Sequence, residues 1–116
     1  MKVTKRQKRV AELLHKEMSL LIQQRVGDPR LAFVTVTGVE VTPDLRRAHV
    51  YVSILGDDEA RQAALTALAH ATGFFRHELA ATLDLRFVPE LLFHLDVSLD
   101  RAERIDELLA HLDEDK

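Results

Sequence analysis

The chemistry of this chain is concentrated in a run of cations near its start, where Lys2, Lys5, Arg6, Lys8, Arg9 and Lys16 are opposed by Glu12 alone. Ammonium and guanidinium groups this dense recognise polyanions, above all phosphates, through charge-assisted hydrogen bonds and counterion release. The bland alternative is a solvated basic face. Arg30, Arg47, Arg76 and Arg86 are further cations spread along the chain. Six histidines invite a metal or acid–base reading, but they are dispersed. His70 and His77 straddle a bend and lack a third ligand, so no metal site is expected. His49, Tyr51 and His94 belong to a strand face, either stacking on bases or standing in water. The four glycines stand alone, which rules out a phosphate-binding loop or dinucleotide fingerprint, and no serine sits in a GxSxG elbow. These absences predict a non-enzyme with no cofactor, metal or small-molecule substrate.

The formal net charge is −3, but its distribution matters more than its sum. Beyond residue 95, Asp96, Asp100, Glu103, Asp106, Glu107, Asp113, Glu114 and Asp115 outnumber Arg101, Arg104 and Lys116. Such a molecule offers a basic face to phosphates and an acidic end that stays clear of them. At 116 residues it is long enough for one core without staples, and without cysteine it has neither disulfide nor thiolate metal site. No apolar run approaches the eighteen or so residues of a membrane helix. The expectation is a cytoplasmic monomer with no membrane partner.

Positioning these side chains requires the following elements. Thr4 is an N-cap, and Val10, Leu13, Leu14, Met18, Leu21 and Ile22 recur at helical spacing until Gly27 stops the helix. After the Gly27–Leu31 turn, Phe33 to Val41 reads as a strand whose apolar parity slips at Gly38, predicting a β-bulge. Thr42 to Leu45 reverses the chain. Ala48, Val50, Val52 and Ile54 then alternate with Arg47, His49, Tyr51 and Ser53, giving a hairpin with one open face. A helix from near Glu59, with Ala64, Leu65, Leu68 and Ala71 inward, breaks at Ala71-Thr72-Gly73 and continues through Phe75, Leu79 and Leu83. Because a glycine inside a helix costs about 1 kcal/mol, Gly73 is expected to mark a bend, and Gly73→Ala to straighten or strain it. Leu91, Phe93, Leu95 and Val97 form a third strand, and Leu99, Ala102, Ile105, Leu108, Leu109 and Leu112 a last helix. Residues 1–112 are thus expected to form a single domain with a basic N-terminal helix, and 113–116 a short acidic end.

The order α-β-β-α-kink-α-β plus a C-terminal helix is that of an α+β, KH-domain-like fold of type II KH topology: a three-stranded sheet with helices on one face. The residues are more specific. Asp28-Pro29-Arg30-Leu31, Val34-Thr35-Val36-Thr37, Ala71-Thr72-Gly73-Phe74-Phe75-Arg76 and Val88-Pro89-Glu90-Leu91-Leu92-Phe93, in this order and spacing, strongly resemble the bacterial ribosome-binding factor A family. The resemblance implies that an interhelical kink, Ala71-Thr72-Gly73, replaces the GxxG loop with which KH domains approach RNA. It also implies a non-enzymatic ribosome biogenesis factor that binds the immature 30S small ribosomal subunit and 16S rRNA, assists late 16S rRNA maturation and processing, and works in cold adaptation. RNA contacts are then expected from Lys2, Lys5, Arg6, Lys8 and Arg9, from Arg76 and Arg86 near the kink, and more weakly from Arg30 and Arg47. The competing expectation is a protein–protein interaction module that uses the acidic C-terminal helix and the open sheet edge without touching RNA.

Overall fold

Three strands cannot bury two faces with so short a chain, and the sequence pattern leaves one face polar. The computed structural model describes residues 3–24, 28–85 and 88–96. In chain order these form α1 (Lys5–Gln24), β1 (Val34–Val41), β2 (Arg47–Ile54), α2 (Asp58–His70), α3 (Thr72–Thr82) and β3 (Glu90–Leu95). Lys2, Gly27, Arg86, Phe87, Val97 and the expected last helix lie outside the described residues. The sheet order is β1-β2-β3, with β1 antiparallel and β3 parallel to β2. The parallel pairing follows from the α2–α3 crossover, since strands joined by helices return in the same direction.

The expected bulge is present. Register passes from Val36 opposite Val52 to Gly38 opposite Tyr51, leaving Thr37 as the extra residue, with its hydroxyl donating to the Tyr51 carbonyl at 3.2 Å. The slip keeps both valine pairs of β1 against the core, where Val36 and Val41 are buried and Val34 and Val39 pack on its margin. Ala48, Val50, Val52 and Ile54 of β2 are all buried, as their alternation requires. The helices lie on this one face. Leu14 and Met18 of α1, Leu68 of α2, and Phe75 and Leu79 of α3 are fully buried, and Phe75 meets Phe93 of β3 with ring centroids 6.0 Å apart.

Local signals set the helix starts. Asp57 caps α2, its carboxylate accepting the Ala60 N–H at 2.8 Å, and Gly56 turns the chain at φ 138° where a Cβ would lie 2.9 Å from that of Ala60. Thr4 caps α1 as expected, but as half of a capping box. Its hydroxyl accepts the Gln7 N–H at 3.1 Å while Gln7 Oε1 accepts the Thr4 N–H at 2.9 Å. The same buried Gln7 donates from Nε2 to the Val41 carbonyl at 2.9 Å, tying the start of α1 to the end of β1. Replacing Gln7 by alanine removes half the cap and leaves a buried carbonyl without its donor. It is expected to cost about 1–3 kcal/mol, read from the urea midpoint with an unchanged m-value.

Candidate nucleic-acid interface

Because Gln7 fixes the first turn of α1 beside the end of β1, the cations around it are held at one pole of the sheet. Lys5, Arg6, Lys8 and Arg9 are all exposed, and among the described residues none takes part in an ion pair. Their three-residue spacing makes two neighbouring ridges, Lys5–Lys8 and Arg6–Arg9. Cations at a helix N-terminus oppose the helix dipole, so this placement costs helix stability.

The starts of β2 and β3 meet at the same pole, where Arg47 pairs in register with Glu90. Their side chains approach to 3.6 Å, both well exposed, a contact that water and salt largely screen. Arg46, which the sequence reading did not single out, lines with Arg76, Val88 and Glu90 a cleft of about 560 Å³. The turn before it is built to present this residue. The Asp44 carboxylate accepts the Thr42 hydroxyl at 2.7 Å and the Arg46 N–H at 3.0 Å, bonds that hold its carboxyl below the usual range. Arg46 was missed because strand alternation drew attention to Arg47; the doublet itself was the available signal. Arg76 donates from Nη2 to the Val88 carbonyl at 2.9 Å, pinning the connector that leads into β3. A guanidinium has five N–H groups, so this bond leaves donors for a phosphate.

The kink differs from expectation in its cause. The interruption is the single residue Ala71, at φ −86° and ψ 0°, which ends α2 and begins α3. Its N–H is shared between the Ala67 and Leu68 carbonyls, and the Thr72 hydroxyl donates back to Leu68 at 3.3 Å. Back-bonding of this kind bends helices. Gly73 lies inside α3 without a positive φ, and a Cβ there would meet nothing within 4 Å. The glycine therefore does not make the bend; it leaves a bare, exposed patch of backbone one turn before Arg76.

Two other expected groups lie apart from this pole. Arg30 stands at the far end of the sheet, in a cleft with Ile54 and Leu55, and its guanidinium forks onto Asp28 at 2.9 and 3.1 Å. Much of its charge is already answered there. On the open sheet face His49 Nδ1 and His94 Nε2 are 2.9 Å apart, and the Tyr51 and His94 ring centroids are 5.4 Å apart. Tyr51 donates to Glu40 at 3.4 Å; partial burial and that carboxylate's charge push its hydroxyl above the usual phenol range. This face mixes aromatic rings with carboxylates and offers phosphates less than the basic pole does. Among the described residues, no group of three or more histidines, cysteines or carboxylates is arranged to hold a metal.

The sequence model of the family described as ribosome-binding factor A matches residues 6–109. This chain belongs to that family. Ribosome-binding factor A of Moorella thermoacetica is 49% identical over 114 residues, covering 97% of this chain and 93% of the relative. The family fold is shared as well. The crystal structure of ribosome-binding factor A from Thermus thermophilus superposes with a TM-score of 0.69 at 29% identity, over 77% of this chain and 93% of that one. A Thermus thermophilus homology model fitted into a cryo-EM map of a complex with 30S superposes at 0.64 and 30% identity, over 75% of this chain and 91% of that one. The family's α+β, KH-like architecture is thus the architecture found here.

If Ala71 rather than Gly73 makes the bend, Gly73→Ala follows helix propensity. Thermal or urea unfolding should show stability unchanged or raised by up to about 1 kcal/mol, with helical content retained by circular dichroism.

Proposed function

We propose that this chain holds RNA of the immature small ribosomal subunit against its basic pole, with the phosphate backbone passing from α1 across Arg46, Arg47 and Arg76 towards the bare backbone at Gly73. The chain is a non-catalytic ribosome biogenesis factor acting in 30S maturation, as membership of the ribosome-binding factor A family implies. The observation that carries the RNA-contact reading is the set of four exposed α1 cations, held by the Gln7 bond beside a second group of arginines from the strand ends. Among the described residues none of them is buried or ion-paired, and their position at the helix N-terminus is unfavourable for the helix itself. Family membership and the Thermus relative fitted in a complex with 30S support 16S rRNA as the polyanion. Late rRNA maturation in the cytoplasm, cold adaptation and action as a single domain and monomer complete this reading, and Lys2 and Arg86 are included among the contacts on their charge and sequence position.

The site differs from a KH clamp. A GxxG loop brings backbone amides to the phosphates, whereas here the α2–α3 junction is a closed helical elbow. Affinity must therefore come from side-chain cations and shape, which makes it salt-dependent. With about four to six phosphates neutralised, the logarithm of affinity for small subunits should fall with log salt at a slope of roughly −3 to −5. Replacing Lys5, Arg6, Lys8 and Arg9 by alanine should flatten that slope and weaken co-sedimentation with small subunits by at least about tenfold. A folded quadruple variant that sediments like the parent would remove these residues from the interface. Binding that does not respond to salt would instead favour a protein-contacting module.

A further inference from the structure

Next to the Arg6–Arg9 ridge, α1 and the end of α3 part to leave a cleft of about 480 Å³, in the size range of sites that enclose small organic groups. Arg6 and Arg9 line it together with Leu13, Leu45, Leu83 and Leu85, brought from α1, the β1–β2 turn and the chain after α3. Leu13 belongs by spacing to the apolar stripe of α1, yet it is 38% exposed because it faces this cleft rather than the sheet. Leu45 holds φ 61°, the left-handed region that branched residues avoid, and its half-buried side chain is part of the lining. One carboxylate, Asp84, borders the same space and among the described residues is in no ion pair.

An apolar floor under two guanidiniums suits a ligand with a flat apolar body and an attached phosphate. A nucleotide of single-stranded RNA has that form, and the surrounding cations would bring its backbone here. We propose that this cleft receives one unstacked nucleobase, guanine in preference to the others, from RNA whose phosphates lie on the Arg6–Arg9 ridge. Guanine is selected by Asp84. An ionised carboxylate only accepts hydrogen bonds, and guanine alone presents two adjacent N–H donors on its Watson–Crick edge. Adenine and uracil set an acceptor beside their donor, leaving one carboxylate oxygen opposed. Bases paired and stacked in a duplex cannot enter.

This assignment rests on the reading that the basic pole binds RNA, and the test separates the two. Fluorescence anisotropy with the full chain would compare a short oligouridine carrying one central guanosine with the same strand carrying adenosine or uridine there. The guanosine strand should bind about three- to tenfold tighter. Leu13→Ala should remove most of that advantage without changing the salt slope, since Leu13 touches no phosphate. Asp84→Asn gives the sharper contrast. Where charge alone matters, losing a carboxylate from a basic surface tightens binding to every strand equally; the cleft assignment requires the guanosine preference to vanish. A preference that survives Asp84→Asn, or a Leu13→Ala variant that binds like the parent, overturns it. Lys5→Ala with Lys8→Ala, off the cleft, should weaken all strands alike and leave the guanosine preference intact. Salt-dependent binding with no base preference defeats the cleft assignment alone, whereas a parent chain that binds no RNA defeats the basic-pole reading and this one together.

Discussion

A three-stranded sheet with one apolar face is the constraint on which the rest of the molecule depends. Ala48, Val50, Val52 and Ile54 of the central strand need cover, and no single helix of this length can supply it. α1 shields the β1 side, while α2 and α3 must together shield β2 and β3 and still return the chain to lay β3 parallel to β2. The bend at Ala71 satisfies both demands. It lets Leu68 and Phe75, on different helices, reach the same core. Burial of that core is the main stabilising term, since each fully buried large side chain contributes about 1.5–3 kcal/mol before entropy is counted.

Most of this was legible in the sequence because apolar periodicity reports burial directly. The bulge could be read from the parity slip around Gly38, and the hairpin from the alternation along β2. Strand order was not legible. It depends on which edge the returning chain reaches, and that is a tertiary choice with no local signature. The helix breaks at Ala71, inside the expected Ala71-Thr72-Gly73 stretch; the sequence draws attention to the glycine within it, whereas the bond from Thr72 back to Leu68 is invisible until the backbone is seen. Gln7 was overlooked for a similar reason, as its long-range partner Val41 is a backbone carbonyl that any sequence would carry.

The candidate site was legible as a charge inventory and much less as geometry. The α1 cations, Arg47 and Arg76 do converge on one pole, with Arg46 added to them. Arg30 does not join them, because it stands at the far end of the sheet, where its guanidinium is paired with Asp28. Leu13 shows the limit of periodic reading most clearly. Its spacing assigned it to the core, but a helix stripe about 100° wide has margins, and a margin residue faces whatever lies beside the sheet.

The elbow at Ala71 has one more consequence. Hydrogen bonds run through it, from the Ala71 N–H to Ala67 and from the Phe75 N–H to the Ala71 carbonyl, both at 3.0 Å, so the two helices are coupled rather than hinged. A flexible loop that closes on its ligand loses backbone freedom at the moment of contact; an elbow already frozen by the fold has surrendered that entropy beforehand. Recognition by such a surface is therefore preorganised. In the proposed RNA complex it is the partner that must supply the adjustment.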